Sequence, residues 1–187
     1  MEQKVGVKME FAIQKTFSSE EIKQIRKKLN LKQKDFAKFV NVSVKTVEHW
    51  ESSGGEVKGA GAALLNILRE RSWLLEEMEI PEKKMPLRLK YYHDDQLCTI
   101  VDVDDRQRQI RIKNYVTDPL FCAFGRNEHP DYKDYEAFLE SRCFPSSRDK
   151  MKIILKELNL PFYDPFMIIQ KTKGRMAEDR FWIQIER

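Results

Sequence analysis

The chain has 187 residues, of which 41% are apolar and 34% are charged. This length suits one ordinary domain or two small ones, and the high charged fraction favours two small modules. With 34 lysines and arginines against 30 aspartates and glutamates, the net charge of +4 excludes a globally basic protein, although such a total can hide a local basic face.

Membrane and metal-bound classes are also disfavoured. The apolar stretches are short, whereas a membrane-spanning helix needs roughly 20 apolar residues. No apolar core of a signal peptide follows Met1. The cysteines Cys98, Cys122 and Cys143 form no CxxC pair, and the histidines show no metal-ligand spacing. We therefore expect a soluble, reduced, cytoplasmic protein with no structural metal and no cofactor.

Residues 1–17 form an N-terminal arm in which apolar side chains alternate with other residues. The alternating positions are Val5, Val7, Met9, Phe11 and Ile13. This period of two predicts a strand. The pattern leaves three partners open: the C-terminal sheet, another copy of the chain, or the helical domain that follows.

Residues 18–80 are predicted to form an all-α domain of about five helices. Ser18 and Glu21 have the spacing of a capping box, and Ser43 and Ser72 are expected to cap the third and fifth helices. Apolar residues at helical intervals predict the buried faces of the first four helices: Ile22, Ile25 and Leu29; Phe36, Ala37 and Val40; Val47 and Trp50; Ala62, Leu65 and Leu68.

Residues 81–86 are predicted to be a linker, because prolines flank a charged stretch. Beyond it, the apolar period changes to two. Short strands are predicted near 87–91, 97–103 and 110–112, with a closing strand at 181–185.

Three helices are expected to cover this sheet. One begins at Asp131, the next at Ser146 or Ser147, and the last at Asp164, ending at Gly174. Residues 87–187 are therefore predicted to form an α+β domain with a small antiparallel sheet.

Positive charge is concentrated in one window, residues 23–45, which holds eight basic residues and a single acid, Asp35. A lysine-rich run is more often a solvated helix face, so the charge alone does not indicate a ligand.

The same window overlaps a motif at residues 31–51, which reads as two short helices joined by a tight turn. Asn41 stands where the turn requires a left-handed backbone, and the small Ala37 lets the helices approach. The segment resembles the Xre, or Cro-type, family of helix-turn-helix regulators at the following positions: Leu31, Gln33, Phe36, Ala37, Val40, Val42, Ser43, Thr46, Val47, Trp50 and Glu51. The stretch 59–65 resembles an antitoxin subset of that family, although Val57-Lys58 replaces the usual proline.

The resemblance implies that the second of these helices enters the major groove of double-stranded DNA. Lys45 suits guanine, Val44 suits a thymine methyl, and Glu48 either accepts from cytosine or lies at the rim. The expected base contacts are Val44, Lys45, His49 and Glu48. The expected phosphate contacts are Gln33, Ser43, Thr46, Lys32, Lys34 and Lys38.

The second domain shows no recognisable catalytic constellation, and we expect no enzyme. Cys143 and Arg148 are separated by four residues where a phosphatase loop has five, and the glycines of such a loop are absent. The stretch from Phe138 to Asp179 is similar to a module of small proteins encoded beside HipA-type kinases in Gram-positive bacteria. No residue role follows from that likeness.

Four polar side chains of this domain are predicted to grip an acidic or phosphorylated partner: Arg142, Arg148, Tyr163 and Arg175. The alternative is that the arginines bond helix ends and loop carbonyls within the domain.

The sequence thus predicts a DNA-binding transcriptional regulator, an autoregulating repressor of antitoxin type. It would bind an inverted-repeat operator as a homodimer, while its C-terminal domain binds a toxin or another protein. The alternative is an inhibitor whose C-terminal domain neutralises a toxin or a phage-defence target, with the helix-turn-helix controlling only its own expression.

Overall fold

The computed structural model describes residues 10–187. The chain divides into two compact units between Glu79 and Ile80. In the described part, no helix combines the length and the apolarity needed to cross a membrane.

The first unit contains five helices and a two-stranded antiparallel ribbon in its described part. The helices are Ser19–Lys28 (α1), Gln33–Phe39 (α2), Val44–Trp50 (α3), Gly59–Glu70 (α4) and Leu74–Met78 (α5), and the strands are Thr16–Ser18 (β1) and Glu56–Lys58 (β2). The ribbon was not predicted. It brings Phe17 and Val57 into the helical core, where both are almost fully buried.

Most of the predicted helix signals are confirmed in this unit. Ser18 and Glu21 form the capping box of α1, and Ser43 caps α3. The predicted inward positions of α4 are buried, as are Phe36 and Val47. The prediction for Ser72 is wrong, because α5 begins at Leu74 behind Trp73 and has no side-chain cap.

The N-terminal arm contacts the first unit through Gln14. Its backbone N–H donates to Asn66 Oδ1 (3.1 Å), and its side-chain amide donates to Glu21 Oε1 (2.7 Å). The arm is therefore joined to both α4 and α1 at this point. Val5, Val7 and Met9 lie outside the described residues, while Phe11 and Ile13 are exposed and not in a strand.

The second unit is a four-stranded antiparallel sheet with three α-helices in the chain that connects its strands. The strands are Leu87–His93 (β3), Gln96–Asp104 (β4), Gln109–Asn114 (β5) and Phe181–Glu186 (β6), and the helices are Tyr132–Ser141 (α6), Met151–Glu157 (α7) and Pro165–Thr172 (α8). The strand order β5-β4-β3-β6 confirms the predicted meander with its closing strand. Phe138 of α6 and Ile169 of α8 pack with Leu89 in the core over one face of the sheet.

Two of the three predicted helix starts are confirmed. Asp131 caps α6 and Asp164 caps α8. The prediction for Ser146 or Ser147 is wrong, because α7 begins at Met151 after Lys150 in the left-handed conformation (φ 61°). Gly174 follows the end of α8 with φ 62°, and a side chain there would crowd Ile183.

The opposite face of the sheet carries a buried ion pair. Arg88 on β3 and Asp102 on β4 lie in register, and Arg88 donates to both carboxylate oxygens at 2.5 and 2.7 Å. Arg88 also donates through Nη1 to the carbonyl of Pro81 (2.7 Å). The segment predicted as a linker is therefore bonded to the sheet of the second unit.

We expect Arg88→Met to destabilise the chain by about 3–5 kcal/mol, because it leaves the Asp102 carboxylate buried without its partner. The double variant Arg88→Met/Asp102→Leu should recover most of that loss, since no unpaired charge remains. Urea denaturation followed by circular dichroism measures both. Equal losses in the single and double variants would contradict this explanation.

Candidate nucleic-acid interface

The turn between α2 and α3 has the tight geometry that its sequence predicts. The Val42 N–H donates to the carbonyl of Ala37 (2.9 Å), and Asn41 adopts the left-handed conformation (φ 58°). Asparagine tolerates this backbone better than most residues do. Ala37 is buried, which allows α3 to pack closely against α2.

The two sides of α3 differ in exposure. Val47 is fully buried and Trp50 packs against the same core. The opposite side exposes Val44, Lys45, Glu48 and His49, which form one continuous stripe by helical spacing. An α-helix with its side chains is about 10–12 Å across, which fits a major groove about 12 Å wide. All four predicted base-contact residues therefore share one accessible surface.

Ser43 and Thr46 hold the start of α3. Ser43 Oγ accepts the backbone N–H of Thr46 (3.0 Å), and the two hydroxyl groups lie 2.7 Å apart. Both contacts define the helix N-terminus, so these residues have a structural role whether or not they meet a phosphate.

The lysines around the helix pair are exposed. Lys38 lies at 3.9 Å from Asp35, a distance that gives little pairing between two solvated groups. Within the described residues, Lys32, Lys34 and Lys45 have no ion pair, so their charges face solvent.

A buried carboxylate, Glu51, connects the helix-turn-helix to α1. Arg26 of α1 donates to its two oxygens at 2.6 and 3.0 Å, and the Gln33 amide of α2 donates at 2.9 Å. Arg26 also donates to the Leu31 carbonyl (2.8 Å), which fixes the loop before α2. The Glu51 network defined by these four residues thus joins three helices and a loop.

Burial alone would raise the pKa of Glu51, but the hydrogen bonds from Arg26 and Gln33 outweigh it and hold that pKa below its usual value. The pKa of Arg26 is raised by its hydrogen bond to the same carboxylate. Both groups therefore stay charged at neutral pH.

This network changes the interpretation of two residues. The sequence assigned Gln33 to a DNA phosphate, but its amide already has an acceptor in Glu51. Arg26 was counted in the basic window, yet its charge is neutralised inside the unit. The sequence feature that pointed to this pairing is Glu51. It follows the inward-facing Trp50, and a carboxylate buried at such a position needs a cation nearby.

The polar face predicted in the second unit is not assembled as expected. Arg142 is buried, and it donates to Asp179 (2.6 and 3.0 Å) and to the Gly174 carbonyl (2.8 Å). The Tyr163 hydroxyl donates to the Phe144 carbonyl (3.0 Å). Arg142 is therefore not available to a partner, which agrees with the alternative that it bonds a loop carbonyl.

Arg148 and Arg175 are exposed. Each guanidinium lies over an aromatic ring, that of Phe144 or Trp182, at 5.8 and 5.4 Å from the centroid. These two arginines remain accessible on the surface of the second unit.

A family model described as helix-turn-helix matches residues 22–59. Residues 22–59 form a helix-turn-helix of the Xre type. This domain supports the assignment of the chain as a DNA-binding transcription regulator.

No curated protein and no solved structure matches the chain. The resemblance of the second unit to proteins encoded beside HipA-type kinases is therefore unsupported.

We expect Glu51→Gln to destabilise the chain by about 2 kcal/mol at neutral pH, because it removes a buried charge-assisted pair with Arg26. The folded pKa of Glu51 is below its usual value, so its stabilisation is present above about pH 5 and lost as the pH falls through that lowered pKa. The difference in melting temperature between the wild type and Glu51→Gln should accordingly shrink at acidic pH.

Thermal unfolding from pH 3 to pH 8 measures this difference. The control is Glu48→Gln, which removes an exposed carboxylate of the same helix and should change stability little. A constant difference at all pH values would contradict the assignment.

Proposed function

We propose that the first unit binds an inverted-repeat operator through α3 and that the chain represses its own operon. The observation that supports this most is the α3 surface, where Val44, Lys45, Glu48 and His49 are exposed on one side while Val47 anchors the other. Arginine, lysine and similar donors read guanine in the major groove, and a valine methyl contacts thymine.

The position of the surrounding lysines supports a role in phosphate contacts that is distinct from base reading by α3. Lys32, Lys34 and Lys38 lie on or just before α2, outside the α3 stripe. Charges at such positions attract phosphates without reading sequence. We therefore propose that these three lysines increase the affinity for any DNA sequence and that Lys45 contributes sequence specificity.

We expect Lys45→Ala to relax sequence specificity at one base pair, with a loss of discrimination of about 1–3 kcal/mol. Lys34→Ala should instead weaken binding to all sequences alike and lower the salt slope by about one. Fluorescence anisotropy of the full chain, with duplexes from its own promoter and scrambled duplexes at several salt concentrations, separates these effects.

The matched control is Lys171→Ala, an exposed lysine of the second unit that should leave DNA binding unchanged. A full chain that binds no promoter duplex at low salt would overturn the regulator proposal.

We further propose that the chain acts as a two-fold homodimer, because an inverted repeat presents two identical half-sites about one helical turn apart.

The antitoxin type is a finer proposal that comes from the resemblance of residues 59–65 to an antitoxin subset. The glycines of that stretch also have local structural roles. Gly59 has φ 62°, and a side chain at Gly61 would meet Val57, so both serve local folding.

The second unit is proposed to bind a protein partner and not to catalyse a reaction. Leu120, Ile153 and Phe162 are more than half exposed and offer apolar side chains to such a partner. Burial raises the pKa of the Cys143 thiol, which disfavours the thiolate that a nucleophile needs.

An inhibitor and a repressor differ in what the partner does to DNA binding. If the proposed repressor is correct, the isolated partner should shift the affinity of the full chain for its operator. If the inhibitor alternative is correct, the partner should be neutralised equally by wild type and by Lys45→Ala, with no change in operator affinity.

A further inference from the structure

A cleft of about 650 Å³ lies within the second unit, between α6, the start of α8 and the turn after β4. Its size is in the range of small-ligand sites. Four carboxylates line it, those of Asp105, Glu136, Glu140 and Asp164, and no lysine, arginine or histidine is among its described lining residues. The lining is therefore acidic, although Glu136 is paired with Arg108 at its edge.

Only some of the oxygens of these carboxylates accept a hydrogen bond from the chain itself. Asp105 accepts the Tyr132 hydroxyl through one oxygen (3.0 Å), and Asp164 caps α8 through one oxygen. Glu140 lines the cleft, is exposed, and makes no side-chain hydrogen bond or ion pair within residues 10–187. Several oxygens thus remain able to accept hydrogen bonds from a ligand.

A second and independent feature is the hydroxyl of Tyr135. The residue is 2% exposed and lines the cleft, yet its hydroxyl has no hydrogen-bond partner in the described part of the chain. All fully buried side-chain oxygens and nitrogens there do have partners. The Tyr135 oxygen must therefore reach solvent, and the cleft provides the opening.

The walls suit an organic cation. Tyr132 and Phe166 present aromatic rings, with the Arg187 guanidinium 5.9 Å from the Phe166 centroid, and Leu139 adds aliphatic surface. At one edge, the Arg108 guanidinium already lies 4.3 Å from the Tyr132 centroid and 3.2 Å from Glu136 Oε2. This surface thus stabilises a guanidinium between a ring and a carboxylate.

A metal ion fits less well. Within the described residues, no three histidine, cysteine or acidic side chains come together closely enough to hold a metal. The carboxylates are spread around the cleft, which matches a large, diffuse cation better than a divalent metal.

We propose that this cleft binds an organic cation, a guanidinium or primary ammonium group on an apolar stem. Glu140 and Asp164 accept its N–H groups, the Tyr135 oxygen accepts another, and the stem packs on Leu139 and Phe166. The proposal goes beyond the DNA-binding function and is independent of it, because its test measures ligand binding alone.

Isothermal titration calorimetry of the full chain with L-argininamide tests the proposal. We expect saturable binding that is at least about tenfold tighter than that of Nα-acetyl-L-citrullinamide, a neutral ligand with the same aliphatic stem. No saturable binding of L-argininamide, or equal binding of the two probes, would overturn the proposal.

Variants locate the site. Tyr135→Phe removes only the hydroxyl, and Glu140→Gln removes one exposed charge; each should weaken L-argininamide by about fivefold or more. The control Glu178→Gln, an exposed acid outside the cleft, should bind as the wild type does. Wild-type affinity in both cleft variants would place any binding elsewhere and refute the site.

If Tyr135→Phe does not fold, as judged by circular dichroism, Glu140→Gln decides the outcome by itself.

The source of the cation is tested separately with the peptide Ala-Arg-Ala and with agmatine. Tighter binding of the peptide supports a partner's side chain as the ligand, and tighter binding of agmatine supports a free amine.

Discussion

The arrangement of the first unit depends on the Glu51 carboxylate, which lies at the end of α3 and is bonded by Arg26 and Gln33. A helix of seven residues is too short to be stable by itself and depends on its contacts with the rest of the unit. The carboxylate adds a directional constraint, because a planar guanidinium meets it with two parallel hydrogen bonds. The stripe that faces solvent on α3 is therefore held at a fixed angle to α1 by charges on its buried side.

The same arrangement of an arginine, a carboxylate and a backbone carbonyl occurs three times in the described chain. In each case a mostly or fully buried arginine holds a carboxylate with two nitrogens and a backbone carbonyl with another. The sets are Arg26 with Glu51 and the Leu31 carbonyl, Arg88 with Asp102 and the Pro81 carbonyl, and Arg142 with Asp179 and, through Nε, the Gly174 carbonyl. Each carbonyl belongs to a segment without regular structure, so the arginine joins a loop to a helix or strand or, in the case of Arg142, to the C-terminal cap position of α6.

Local signals predicted the elements well, whereas contacts between distant residues were not predictable. The caps at Ser18, Ser43, Asp131 and Asp164 depend on neighbours within three residues and are all present. Ser72 failed as a cap because serine is also common in turns. The exposed stripe of α3 could be predicted from the helical periodicity and from the helix-turn-helix motif. The roles of Arg26, Gln33 and Arg142 did not follow, because their partners are 18 to 37 residues away in sequence.

The bond from Arg88 to Pro81 affects which residues near the start of the second unit can vary and where that unit begins. Because the acceptor is a backbone carbonyl, residue 81 can change without loss of this bond, while Arg88 and Asp102 must be kept together. A fragment that begins at Leu87 would discard the acceptor and uncover part of a buried charge. The natural start of the second unit is therefore Ile80, several residues before its first strand.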